Sequence, residues 1–194
     1  MGRYPGAVTC DLSGQLLPEL KPVLALDLTA VEAAGPSTDG ILDGTAASTT
    51  KATVVTTLPS QPPQTRGLTF TPDAAADTGN IVVVGTNIDD EVITDTIATD
   101  AANAVTSALA FKTVTSITFP KEDSSVNWDV GWDERLGLPF ILAEKPFYLE
   151  MFNNIIEIGT AGALSYDADE IEKNMYDPQG TLNGAKPLRL LLFL

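Results

Sequence analysis

Between Asn80 and Pro120 the chain reads NIVVVGTNIDDEVITDTIATDAANAVTSALAFKTVTSITFP. Val, Ile and Thr dominate this stretch, and β-branched side chains lose little freedom when held on a pleated surface. NIVVVGT, residues 80–86, reads as a strand. Asn87-Ile88-Asp89-Asp90 reads as a tight turn, because Asn and Asp accept the positive φ such turns need. EVITDTIA, residues 91–98, reads as the returning strand, TDAANAVTSAL (99–109) as an Ala-rich loop, and FKTVTSITF (111–119) as the next strand. In that last strand a period of two places Phe111, Thr113, Thr115, Ile117 and Phe119 on one face, with Lys112 and Ser116 on the other. Successive antiparallel strands with short turns leave few architectures open, namely a β-sandwich or a barrel-like body.

The flanks are less regular. Residues 1–26 are broken by Pro5, Pro18 and Pro22, have room for one short helix or strand but no long element, and read as an extended arm that orders on a partner surface. DLTAVEAA (27–34) has the makings of one helical turn, GPSTDGILDGTAAS (35–48) reads as loop, and TKATVVTTL (50–58) as a strand ended by Pro59. Pro59-Ser60-Gln61-Pro62-Pro63-Gln64 is a stiff connection. It is either a boundary between an N-terminal segment (1–58) and a β-sandwich domain (66–194), or a loop inside one continuous domain (27–194). RGLTFT (66–71) is a strand and PDAAADTG (72–79) a turn. KEDSSVNWDVGWDE (121–134) reads as a polar loop carrying both tryptophans. LGLPFILAEKPFYLEMF (136–152) holds strand pieces cut by Pro139 and Pro146. NIIEIGTAGALSYDADEIEKNMYD (154–177) reads as a further strand and then an acidic turn or helix. KPLRLLLFL (186–194) is a strand apolar on both faces, central in a sheet or buried against a partner.

The chain of 194 residues carries 26 Asp and Glu against 11 Lys and Arg, a formal charge of −15. Such a surface repels phosphate and anionic lipid, so neither nucleic acid nor a membrane is an expected partner. One cysteine, Cys10, allows no internal disulfide, and the absence of histidine removes Ser-His-Asp and Cys-His nucleophilic arrangements and the usual zinc ligands. No apolar run approaches a membrane span and no signal-peptide pattern opens the chain, so manufacture and use without export are expected. Carboxylates cluster at Asp89, Asp90 and Glu91; at Asp167, Asp169, Glu170 and Glu172; and at Asp129 and Asp133 around Trp132. The cluster from Asp167 starts like an EF-hand loop and fails, with Ile171 at the fifth position, Glu172 at the sixth and Pro178 at the twelfth. Carboxylate pairs and a platform of Trp128 and Trp132 would suit a secreted calcium- or sugar-binding module, a weaker reading than solvated charge and packed aromatics. No catalytic, cofactor-binding or metal-binding residue is assigned, and no enzyme is expected.

VVVGT, the short polar turn, EVITDTI, the Ala/Asn/Thr loop and AFKTVTSITFP together resemble a recurring β module of tailed-bacteriophage virion proteins. VGWDERLGLPFIL (130–142) and NGAKPLRLLLFL (183–194) resemble the segments downstream of that module, so the likeness spans about the last 115 residues; residues 1–65 resemble nothing recognised. The chain departs from the pattern at Ile88, where Gly is common. The resemblance implies a structural virion protein that self-associates, with a trimer favoured over a dimer and the major capsid protein as partner. A capsid decoration or cement protein on the head surface fits a small acidic body with an arm; a neck, tail or head-fibre component is the alternative. If the terminal strand is buried, Leu192→Asp will unfold the protein or dissociate its oligomer, since an unpaired buried charge costs several kcal/mol. Circular dichroism and sedimentation read the two outcomes separately.

Overall fold

A computed structural model describes residues 23–156 and 162–194, so Cys10 and the arm up to Pro22 lie outside the described residues. The described fold is β throughout, with antiparallel pairing in every ladder. Among the described residues fourteen strands form three sheets. The expectation of a mainly β, antiparallel body therefore holds, and the body is curled as a half-barrel.

The first sheet contains β3 (Thr53–Val55), β8 (Thr113–Phe119), β5 (Asn80–Thr86) and β6 (Val92–Ala98), in that order. β5 and β6 pair residue for residue from Asn80↔Ala98 to Thr86↔Val92, closed by the anticipated turn. Asn87 Oδ1 accepts the amides of Asp89 and Glu91, and Asp90 takes φ 65°, which an Asp tolerates. The strict alternation expected of residues 111–119 fails at one point. The register against β5 slips between Val84 and Gly85, and this bulge turns Val114 inward and leaves Thr115 exposed. Gln61 occupies the irregularity: its side-chain amide donates to the Val114 carbonyl and accepts the Val114 amide. The Pro-rich connection is thus fastened to β8 by a side chain that acts as a strand partner.

The second sheet runs β12 (Ala163–Ser165), β13 (Met175–Asp177), β9 (Asn127–Gly137), β4 (Arg66–Pro72), β7 (Val105–Phe111), with β2 (Ser37–Ala46) also on β9. Three of these strands fall where the sequence suggests loops. The expected loop 35–48 contains β2, residues 105–109 belong to β7, and the segment 121–134 with both tryptophans contains most of β9. β2 is disguised by two register shifts and by Gly40 and Gly44. β7 is disguised by a bulge in which the Ser107 hydroxyl accepts the Leu68 amide and donates to the Leu109 carbonyl. β9 is disguised by its acids, which hold backbone amides: Asp129 accepts the distant Gly44 amide and Asp133 the nearby Arg135 amide. β2 and β3 precede Pro59 and pair with β9 and β8 beyond it, so both sides of the Pro-rich connection share sheets.

The main core lies between these two sheets and is built from Leu68, Phe70, Ile81, Val83, Phe111, Ile117, Phe119, Trp128 and Val130 among others. Trp128 stacks on Phe119 with centroids 5.6 Å apart; burying one such side chain contributes roughly 2–3 kcal/mol. The seam between β6 and β7, at the ends of the two sheets, has no backbone ladder. There the buried Asp95 accepts the amides of Ala108 and Leu109 through Oδ2, at 2.7 and 3.3 Å, and of Thr96 through Oδ1.

The third sheet, β1 (Val23–Leu28), β14 (Leu188–Phe193), β10 (Phe147–Phe152) and β11 (Ile155–Ile156), packs its inner face on the far end of β9 and on β13. β1 corrects the arm: Val23–Leu26 are strand, not free chain, and pair with Phe193–Leu190. The helical turn foreseen in 27–34 is one turn, closed by Ala33 N to Thr29 O. A reciprocal capping box holds it, in which Glu32 accepts from Thr29 and donates its amide back to the Thr29 hydroxyl. Asn153 and Asn154, both at positive φ, make the two-residue turn from β10 to β11.

Asp95→Ala leaves two β7 amides without their acceptor and is expected to lower stability by about 2–3 kcal/mol, with Asp95→Asn intermediate. Urea denaturation checks the order; equal midpoints for all three proteins would show that the seam is held by packing alone.

Candidate functional site

Several of the carboxylates singled out in the sequence are engaged in turns and pairs. Asp90 pairs with Lys112 at 2.7 Å on the surface. Asn87 Nδ2 donates to Glu91 and to Glu172, each at 3.3 Å, so the hairpin tip and the acidic turn meet. Asp167 accepts the amides of Asp169 and Glu170 ahead of a short 3-10 turn at Ile171–Lys173. Among the described residues no group of three or more Asp, Glu or Cys side chains is arranged to hold a metal ion. The tryptophans form no open platform: Trp128 is fully buried, and the half-buried Trp132 donates its indole N–H to the Gly35 carbonyl at 2.9 Å.

Charge is handled tightly where the third sheet meets β9. The Arg66 guanidinium is buried and donates to the carbonyls of Asp133 and Ala34. Burial pulls its pKa down to about 10 against the opposing fields of Asp133 and Glu134. Burial, followed by the field of Asp177, pushes Glu134 up, and burial with the field of Asp133 pushes Asp177 up. Glu150, on the inner side of β10, is fully buried; its Oε2 accepts from Tyr176 Oη and from the amides of Gly162 and Gln179. Burial and the hydrogen bond to Glu150 together drive the Tyr176 phenol far above its ordinary value. That network ties β10 to β13 and to the loops at 162 and 179, and it was invisible in the sequence because a lone Glu in FYLEMF reads as a solvent-facing residue.

The anticipated two-faced character of the terminal strand is what the structure shows. β14 is central, paired with β1 on one side and β10 on the other. Leu188, Leu190 and Leu192 point inward and are 0% exposed. The outward positions fall in three cross-strand rows: Val23, Phe193 and Phe147; Ala25, Leu191 and Leu149; Asp27, Arg189, Met151 and Ile156. None of these apolar side chains belongs to a buried cluster of the described residues. Phe147 is 66% exposed, Val23 51% and Ile156 48%, and the Phe147 and Phe193 rings touch at 5.6 Å. The only charges among the described outward positions are Asp27 and Arg189, which pair with each other at 2.6 Å. Large exposed apolar patches mark places where another surface belongs, so this face is the candidate functional site. It offers shape and apolar area, and its one carboxylate, Asp27, is held by Arg189.

No family model matches the chain, and no curated protein or solved structure matches it either. The likeness to phage virion modules therefore rests on the segments between Asn80 and Leu194 alone.

Tyr176→Phe removes one donor from the buried Glu150 carboxylate while keeping the ring and its edge contact with Tyr148. A loss of about 1–3 kcal/mol is expected. Thermal unfolding measures it, and an unchanged midpoint would mean that the two amides suffice.

Proposed function

We propose that this chain is a structural building block of a tailed-bacteriophage virion, a capsid decoration (cement) protein that binds the outer shell across junctions of the major capsid protein and stabilises the head. The observation that carries the reading is the open apolar face of the third sheet on an otherwise acidic β body. A protein whose work is adhesion needs such a surface, whereas a catalyst needs convergent polar groups in a cleft. The resemblance of Asn80–Pro120 and of the segments after it supplies the kind of assembly. The strongly negative surface supports the same reading, because it limits indiscriminate sticking where copies are crowded together. On this reading the protein is assembled in the host cytoplasm and works on the capsid surface, with itself and the major capsid protein as partners and no cofactor.

A neck, tail or head-fibre position is the second reading, favoured by the same module. Copy number separates the two, since cementing requires hundreds of copies and a connector only a handful. Particles assembled without the protein are expected to release their DNA at a lower temperature than complete particles. Equal heat resistance, measured by dye access to the packaged DNA, would remove the cementing role.

A further inference from the structure

We infer that the outer face of the β1–β14–β10–β11 sheet packs against the same face of a second copy of this chain about a two-fold axis. The inference rests on the reading of this face as an assembly surface and adds what covers it. Two sheets facing each other interdigitate side chains across about 10 Å, and the three rows containing Phe147, Leu191 and Met151 present a continuous apolar layer for that purpose.

Charge decides between a second copy and a partner of opposite sign. Residues 37–137, which form β2 to β9, hold 14 Asp and Glu against five Lys and Arg, an excess of nine negative charges. The outward face of the third sheet holds one of each, Asp27 and Arg189, already paired. A face that is neutral and contains both members of its own ion pair is self-complementary, which an isologous contact requires. Packing through it also turns the acidic bodies of the two copies away from the seam. A basic partner would instead be drawn to the acidic sheets and would leave this face uncovered.

The distribution of apolar side chains favours two-fold over three-fold symmetry. A ring, the trimer favoured from the sequence, needs two different complementary patches on each copy. Among the described residues the other exposed large apolar side chains are Ile155, which pairs with Phe152 in the inward row of the same sheet, and Val31, Val54, Val92, Ile141 and Tyr166, which sit on separate elements, so they form no second sheet face. Strand spacing and rise give the face an extent of roughly 15–20 Å on each side, or about 300–400 Å². That is about half of the ~800 Å² per partner in a standard interface. The face thus supplies the apolar centre, with a polar rim around it, and the dimer is expected at the weak end, dissociating near micromolar concentration.

The test is sedimentation equilibrium of the full chain from about 1 to 200 µM, a span that brackets weak interfaces. Wild type is expected to pass from monomer to dimer. Phe147→Asp and Ile156→Asp, each at an already exposed position, are expected to weaken association at least about 30-fold with unchanged urea midpoints. Added NaCl is expected to strengthen the wild-type dimer, because it screens the repulsion between two acidic bodies and leaves the apolar seam intact. A monomer at every concentration overturns the inference, as does an oligomer indifferent to both substitutions or a closed trimer. Binding to virions separates this failure from that of the broader reading. A monomeric wild type that binds particles, and loses binding on Phe147→Asp, overturns the two-fold and keeps the assembly reading. A Phe147-dependent dimer that binds no particle supports the two-fold and overturns the virion assignment.

Discussion

The eleven residues from Asn127 to Gly137 must satisfy three neighbouring strands and two separate cores at once. The first half of β9 lies between β2 and β4 and sends Trp128 and Val130 into the main core. The second half lies between β4 and β13 and carries Leu136 into the core beneath the third sheet. Gly131 marks where the strand is most crowded, since a Cβ there would overlap the Ser37 carbonyl of β2. Among the described residues no other strand reaches both cores, so the position of the C-terminal sheet relative to the half-barrel depends on this ladder being unbroken.

Much of the chain beyond β9 holds a small sheet with one face covered and one face open, while the acidic turn reaches back to the β5–β6 hairpin through Glu172 and Asn87. The inner leucines of β14 bury against Tyr176, Leu138 and Leu142, and Glu150 and Tyr176 lock β10 onto the layer below. A buried carboxylate with three donors is expensive to build in place of an apolar side chain. Its effect is to fix the register of β10, and with it the alignment of Phe147 beside Phe193 and of Leu149 beside Leu191 on the outside. The open face is thus as well determined as the covered one.

Parts of this were plain in the chain. β5, β6, β8 and β14 follow β-branched or leucine-rich runs with turn residues at their ends, and the pattern survives in their ladders except at the bulge in β8. β2, β7 and β9 were hidden by different causes. In β2 and β7, bulges shift the alternation, and the polar groups that stabilise the bulge, such as Ser107, look like loop residues. In β9 the aspartates suggest solvent, although Asp129 and Asp133 hold backbone amides of Gly44 and Arg135. Long-range partners of this kind, such as Gly44 for Asp129, are set by chain topology and leave no local signature. The outer face was legible only in part: LLLFL announced a strand apolar on both sides, but its neighbours β1 and β10 come from distant, proline-interrupted segments.

By itself the sequence determined the class of the fold, because β-branched alternation and short turns admit little else. It also determined that the last strand would be apolar on both sides. Which side would be covered was a tertiary decision. It follows from the central place of β14 between β1 and β10 and from the single layer of β9 and β13 beneath them, which covers Leu188, Leu190 and Leu192 and leaves Leu191 and Phe193 facing out. A strand pattern records that two faces are apolar, and only the packing of the layers settles which one is left open.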